Sequence, residues 1–266
     1  MASASEKKTG FETILLEIEN GIGRLTLNRP DSLNSFDEKM TAEMQSALGA
    51  LARDQDVRCV AITGQGRAFS AGQDLKDIRP GSSFSDSLRR RYNPIIKLIV
   101  GMEKPVVAAI NGVAAGAGMS LALACDFKVM SSGAKFIQAF VRIGLVPDSG
   151  SSFFLPHMLG YSKAFELAAL GKEVSSEEAL NLGLVNRVFP DERFDEETRA
   201  ILERFSSGPT KAYSLIKRML NRSFGSSLEQ SLDYEASMQE IAGQTADAQE
   251  AMRAFIDKRL PVFKGK

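Results

Sequence analysis

Two stretches of this chain, VRCVAITGQGRAFSAGQDL (residues 57–75) and KPVVAAINGVAAGAGMSLALAC (residues 104–125), share one layout. Each opens with an apolar run of strand length and continues into a loop of Gly, Ala and Ser that leads towards a helix. A strand apolar on both sides has to be covered on both faces, which is the condition of a parallel sheet flanked by helices. Strands of this kind alternating with helical stretches predict an α/β core of repeated βα units.

The rest of the chain fits that frame. FETILLEIENGIGRLTLNRP predicts two strands joined as a hairpin at Asn20-Gly21. SFDEKMTAEMQSALGALARD carries Met40, Met44, Leu48 and Leu51 on one helical stripe. SDSLRRRYNPIIKLIVGME is expected to be helical in its second half, while FKVMSS and KFIQAF are short strands. From residue 161 the pattern is helical, broken by LGLVNRVFP as a strand or extended link. The expected organisation is a polar, disordered leader over residues 1–10, a core over residues 11–200 and a helical region over residues 201–266. In the last, the stripe Ile216, Leu220 and Phe224 needs a partner, either the core or another subunit.

Composition excludes some classes. Lys+Arg and Asp+Glu number 33 each, so the chain lacks the basic surplus of a general nucleic-acid binder. Its apolar runs are too short to span a bilayer. The start, MASASEKKTG, lacks the apolar centre of a secretory signal, so a cytoplasmic location is expected. Cys59 and Cys125 lie in apolar runs and read as buried thiols in a reducing compartment. Two Cys and the single His157 do not make a typical zinc site, so no metal is expected. Neither glycine-rich loop fits a phosphate-binding fingerprint.

A loop that follows a strand and opens a helix leaves backbone N–H groups unpaired. Two such loops aimed at one oxygen would make an oxyanion hole able to hold a thioester enolate. Packing gives a competing account: Gly and Ala also permit close strand–helix contact. Further along, GLVPDSGSSFFLP holds one acid, Asp148. It fits a helix N-cap, with Ser149 to Phe154 as the first turn. It also fits a proton-transfer group: a helix dipole favours the carboxylate, while an apolar pocket from Phe140, Phe153 and Phe154 opposes it.

The segments LNRPDSLNSF, GRAFSAGQDL, KPVVAAINGVAAGAGMSLALACDF, AKFIQAFVRIGLVPDSGSSFFLPHMLG and LGLVNRV occur in the order and rough spacing of the crotonase, or enoyl-CoA hydratase/isomerase, superfamily. The chain resembles that family from about Phe11 to the C-terminal RLPVFKGK. The resemblance implies a crotonase-like spiral of ββα units with a C-terminal helical trimerisation region, assembled as a homo-oligomer, either a trimer or a dimer of trimers. It implies an acyl-CoA substrate and no cofactor beyond the CoA of that substrate. It places the oxyanion N–H groups on Gln73 and Ala117. Substrate contact is expected of Ala71, Gly72, Asp74, Leu75, Gly116, Ser120 and Phe140; Arg29 and the C-terminal Lys258/Arg259 are candidate contacts to the CoA phosphates, against a reading as isolated surface cations. For Asp74 the preferred reading is structural, a group that fixes its loop. Arg89 to Arg91 read as a solvated face, Asp126 as the cap of a turn, and Tyr92 either as a wall of the acyl pocket or as core.

The chain also departs from the family pattern. Hydratases of this family hold water with two glutamates, and the matching positions here are Ser120 and Phe140. Asp148 stands where some isomerase and dehalogenase members keep their one essential carboxylate. GVAAGAG, AKFIQAF and GLVPDSG are together similar to the ring-1,2-epoxyphenylacetyl-CoA isomerases within the family. The expectation is an acyl-CoA isomerase with Asp148 as both base and acid. A hydratase that uses Asp148 with water, or an inactive scaffold of the same fold, stands as the alternative.

Overall fold

Asn20 and Gly21 both take left-handed backbone angles (φ 51° and 76°), the geometry of a type I′ turn. They join β1 (Ile14–Glu19) to β2 (Ile22–Leu27) as an antiparallel pair, the expected hairpin. The structure is a computed structural model that describes residues 10–78 and 81–266; residues 1–9 of the expected leader lie outside the described residues.

From β2 the chain climbs in turns that give one strand to each of two sheets. The strands are β3 (Cys59–Gly64), β4 (Ala68–Ser70), β5 (Val106–Ile110), β6 (Val113–Ala115), β7 (Phe127–Ser131), β8 (Lys135–Ile137), β9 (Glu173–Ser175) and β10 (Arg187–Phe189). One sheet has the order β1-β2-β3-β5-β7-β10 and the other β4-β6-β8-β9. Beyond the hairpin, neighbours in the first sheet are parallel; in the second, β9 alone runs antiparallel, against β8. The two sheets and their winding are the expected spiral of ββα units. The three-residue strands β4, β6 and β9 had no sequence signal of their own.

The helices are α1 (Glu38–Arg53), α2 (Phe84–Ser87), α3 (Asn93–Gly101), α4 (Ala117–Ala124), α5 (Ser151–Leu159), α6 (Tyr161–Leu170), α7 (Ser176–Asn181), α8 (Phe194–Ser207), α9 (Thr210–Ser223), α10 (Leu228–Gly243) and α11 (Ala246–Ile256). Between α2 and α3 a π-helical turn, Leu88–Tyr92, keeps the chain helical from Phe84 on, earlier than expected. The polar SDSLRRR stretch hid this because its outer face meets solvent.

Strand alternation explains the apolar runs. In β3, Val60 and Ile62 enter the main core with Met40, Leu48 and Ile99. Cys59 and Ala61 face the other way and pack with Val107, Val129, Phe194 and Leu202 under α8. Both faces are thus covered, as a buried parallel strand requires. Both cysteines are free and buried, and burial pushes each thiol up to about 12. Helix α4 has every residue buried, which accounts for its lack of a polar stripe.

Helix α8 runs unbroken across residue 200 and covers the first sheet, so the boundary expected there falls inside a helix. Helix α9 is tied to the core through Lys217, whose ammonium donates to Ile99 O (2.6 Å) and to Asp126 Oδ2 (2.7 Å). Asp126 also accepts from Val106 N (2.8 Å), so it bridges β5 and α9 rather than capping a turn. Burial raises the Asp126 carboxyl above its usual range, against the pull of the Lys217 ammonium. Ile216, Leu220 and Phe224 remain 51%, 62% and 50% exposed along α9 and its end.

Candidate active site

The first glycine-rich loop leaves β4 and is held from both sides. Gly72 N donates to Ser70 Oγ (3.1 Å), and Ser70 Oγ donates to Asn34 O (2.8 Å). Phe36 N donates to Gly72 O (2.7 Å), and Asp74 N donates to Phe36 O (3.0 Å). This one-residue parallel bridge pairs Phe36 with Gln73 and leaves the Gln73 N–H without an acceptor among the described residues. Ala71 N donates to Leu33 O (2.9 Å), and Leu75 stands 53% exposed beyond the loop.

Asp74 is the rivet of this loop. Its carboxylate accepts from Lys76 N (3.1 Å) and pairs with Arg29 Nη2 (3.0 Å). Burial works to raise its carboxyl, yet the hydrogen bonds from Arg29 and Lys76 prevail and hold it below the usual range. These contacts fix the loop, as the structural account of Asp74 expects. The Arg29 guanidinium also meets Asp37 Oδ2 (3.2 Å) and Ser35 O (2.6 Å), so its charge is engaged inside the fold.

The second loop leaves β6. Gly116 adopts φ 50°, ψ −122°, and its N–H donates to Ile137 O (2.9 Å). Ala117 is the first residue of α4, where a helix leaves N–H groups without intrahelical partners, and no acceptor among the described residues meets it. The two loops interlock through glycine. At Gly72 (φ 87°), a Cβ would stand 2.6 Å from Ala115 O and 3.2 Å from Ala117 N; at Gly118, one would stand 2.4 Å from Ser70 O. The glycines therefore serve the close approach that the packing account required. The same approach brings the free N–H groups of Gln73 and Ala117 onto abutting segments.

Asp148 is not a helix cap. The N-cap of α5 is Gly150, with no side-chain cap. Asp148 opens a turn instead: Ser151 N donates to Asp148 O (3.0 Å), with Ser149 at φ 51° and Gly150 at φ 88°. Two consecutive left-handed residues define a type I′ turn, strained at the non-glycine Ser149. The carboxylate accepts from Ser149 Oγ (2.8 Å), and no backbone N–H among the described residues reaches it. Burial raises its carboxyl above the usual aspartate range, and the Ser149 hydroxyl only partly offsets this.

A hydrogen-bond chain anchors that turn. Gln138 Nε2 donates to Ser151 Oγ (3.1 Å), Ser151 Oγ lies 2.8 Å from Ser120 Oγ, and Ser120 Oγ donates to Asp148 O (3.0 Å). Ser120 is fully buried and bonded inwards, to the Asp148 turn and to Ser151. Sequence reasoning missed Gln138 and Ser151, because nothing in AKFIQAF or DSGSSFF singles them out. Phe140 is buried with its ring 3.8 Å from where a Gly116 Cβ would stand, so it backs the second loop. Phe153 is 46% exposed and stacks on His157 and Phe224, away from this turn. It is not part of the apolar surround expected for Asp148.

A narrow cavity lies between these elements, walled by Phe36, Tyr92, Ile95, Ala117, Leu121 and Ser149. Beyond Gln73 a wider cleft of about 290 Å³ opens between Asp77, Phe84, Arg90 and Arg91. Arg89 and Arg90 are exposed, whereas Arg91 pairs with Asp77 (2.7 Å) and is not part of a solvated face. Lys258 is exposed near the C-terminus, and no contact joins it to either loop. Among the described residues no group of His, Cys, Asp and Glu is placed to hold a metal ion, and no helix is long and apolar enough to cross a membrane.

A two-sheet spiral in which two glycine-rich loops approach each other closely defines a crotonase-fold protein. The profile of the enoyl-CoA hydratase/isomerase family matches residues 17–266, and the chain belongs to that family. It is 40% identical over 261 residues to the 1,2-epoxyphenylacetyl-CoA isomerase of Escherichia coli K12, covering 96% of this chain and 100% of that one. It is 33% identical to the trans-2-decenoyl-[acyl-carrier-protein] isomerase of Streptococcus mutans, covering 96% and 99%. Among solved structures, the enoyl-CoA hydratase of Bacillus anthracis superposes with a TM-score of 0.90 at 30% identity, covering 96% and 100%. Similar proteins thus carry both isomerase and hydratase names.

Proposed function

We propose that this protein is an acyl-CoA isomerase acting on a ring epoxide of the phenylacetyl-CoA type or on a misplaced double bond of an enoyl-CoA. One observation carries the reading. Asp148 is a partly buried carboxylate with no backbone partner among the described residues, and the two positions where a hydratase would keep glutamates hold the inward-bonded Ser120 and the buried Phe140.

The thioester carbonyl accepts from Gln73 N–H and Ala117 N–H. This acidifies the carbons conjugated to it, because the resulting enolate oxygen stays held. On an enoyl-CoA with a misplaced double bond, Asp148 takes a proton from one carbon, the electron pair moves towards the thioester oxygen, and the same carboxyl returns the proton to another carbon. For that substrate one C–H bond breaks and one forms, nothing is added or lost, and one carboxylate suffices. Burial, by raising the Asp148 carboxyl, moves its proton affinity towards that of a useful base. The CoA of the substrate is the one non-protein group required, and the exposed residues Ile216, Leu220 and Phe224 fit burial in a homotrimer.

Separate incubations with a 3-enoyl-CoA and with crotonyl-CoA, followed by the absorbance of the conjugated thioester, test the assignment. Isomerisation creates the band from the first substrate; hydration removes it from the second. The likeness to a solved hydratase favours hydration as the second reading, with Asp148 activating water.

A further inference from the structure

Tyr92 closes the π-helical turn Leu88–Tyr92, an irregularity that often marks functional sites. Its ring packs edge-on against Phe36, centroids 6.1 Å apart, and the residue is 4% exposed. Its hydroxyl is buried and has no hydrogen-bond partner among the described residues. A buried hydroxyl left without a partner is uncommon, and phenylalanine would fill the same apolar space without that penalty. Of the cavity walls beside it, Phe36, Ile95, Ala117 and Leu121 offer no side-chain acceptor, and the Ser149 hydroxyl donates to Asp148 Oδ1 (2.8 Å) without pairing with it.

Three polar groups therefore stand underused: the Ala117 N–H, on the cavity wall; the Asp148 carboxylate, one residue before the wall residue Ser149; and the Tyr92 hydroxyl, on the wall. Asp148 does not accept from the hydroxyl in this structure: its carboxylate accepts from Ser149, and the phenol oxygen has no partner among the described residues. The carboxylate is nonetheless close enough to be felt. Burial raises the Tyr92 phenol, the Arg91 guanidinium opposes this, and the Asp148 charge adds to it. The thioester oxygen and the reacting carbons of an acyl group occupy the first two groups and leave the third for a further acceptor on the ligand.

We propose that Tyr92 is a specificity-determining residue whose hydroxyl donates to an oxygen carried by the acyl group. The site then prefers acyl-CoA thioesters with an epoxide, ether or hydroxyl oxygen near the reacting carbons over plain hydrocarbon acyl groups. The inference deepens the proposed function and rests on its placement of the acyl group beside Ala117 and Asp148.

Equilibrium binding tests it without turnover. Calorimetric titrations compare 2-hydroxyphenylacetyl-CoA with phenylacetyl-CoA on the wild-type protein and on Tyr92→Phe. The wild type binds the hydroxylated ligand more tightly, and the variant loses about tenfold on that ligand alone, the worth of one hydrogen bond. The melting temperature of the variant stays level or rises, because a partnerless hydroxyl has been removed. Equal binding of both ligands by the wild type, an equal loss on both by the variant, or a lowered melting temperature overturns the proposal. Asp148→Asn, assayed alongside for isomerisation, reports on the acid–base reading separately: full activity there sinks that reading whatever the titrations give.

Discussion

The hydroxyl of Ser120 lies 3.0 Å from the carbonyl oxygen of Asp148, 28 residues further along the chain. This bond fastens the Asp148 turn to the helix that begins at Ala117. The proposed proton-transfer group and one of the proposed oxyanion donors are thereby fixed to one rigid element, which is what a site of this kind needs.

Ser120→Ala breaks that link and leaves the Asp148 carbonyl and Ser151 hydroxyl short of a partner. The cost to folding is about 1–3 kcal/mol by denaturant titration. The turnover number falls more than the Michaelis constant changes, because Asp148 is displaced while the thioester donors stay. An unchanged turnover number would show that the link does not position the carboxylate.

Gly72→Ala places a methyl group 2.6 Å from Ala115 O at a left-handed backbone position. The first loop has to retreat and carries the Gln73 N–H with it. Loss of one oxyanion donor typically costs about 10²–10³ in turnover number. Steady-state kinetics near the wild-type value would show that the close approach of the loops does not serve catalysis.

The raised Asp148 carboxyl has a stability consequence of definite sign. Its folded-state pKa lies above its unfolded value, so the folded state holds its proton more tightly. The penalty for ionising it in the fold is absent below the ordinary aspartate range. It grows as pH rises from that range through the raised folded-state pKa and is complete above it. Asp148→Asn therefore melts higher than the wild type at neutral pH, and the difference closes under acid conditions. In the wild type, kcat/KM rises with pH along a limb set above the ordinary carboxylate range. Melting curves and a pH–rate profile check both.

Lys217→Met removes the cation that ties α9 to Asp126 and to Ile99 O. A fully buried pair broken this way costs about 3–5 kcal/mol. The Asp126 side chain keeps 28% exposure, so a smaller loss, about 2 kcal/mol, is expected in chemical denaturation. Enzymatic activity per folded molecule is retained.

Strands β3 and β5 were legible because both faces are buried, so their apolar runs are continuous. The hairpin was legible because Asn20-Gly21 suits left-handed angles. Strands β4, β6 and β9 are three residues each, too short for a period to show, and they pair only once the spiral has wound. Family motifs pointed to Gln73, Ala117 and Asp148, yet local pattern could not tell a cap from a free carboxylate. That distinction depends on Ser149 and Gly150 both turning left-handed and moving the helix start beyond Asp148. The ion pairs of Arg29 were not legible, because Asp37 and Asp74 reach it from other segments only in the fold. Tyr92 sat in a segment read as half helix, and only the packed cavity reveals that its hydroxyl has no partner.

The central claim is that Asp148 alone moves the proton. The most direct measurement compares wild type with Asp148→Asn in the conversion of a 3-enoyl-CoA to its conjugated isomer, with acyl-CoA affinity measured on both. General acid–base catalysis contributes typically about 10²–10⁴ in rate. The account predicts a loss of that size in turnover with affinity for the thioester kept, and a variant that still isomerises within a few-fold of the wild type would contradict it.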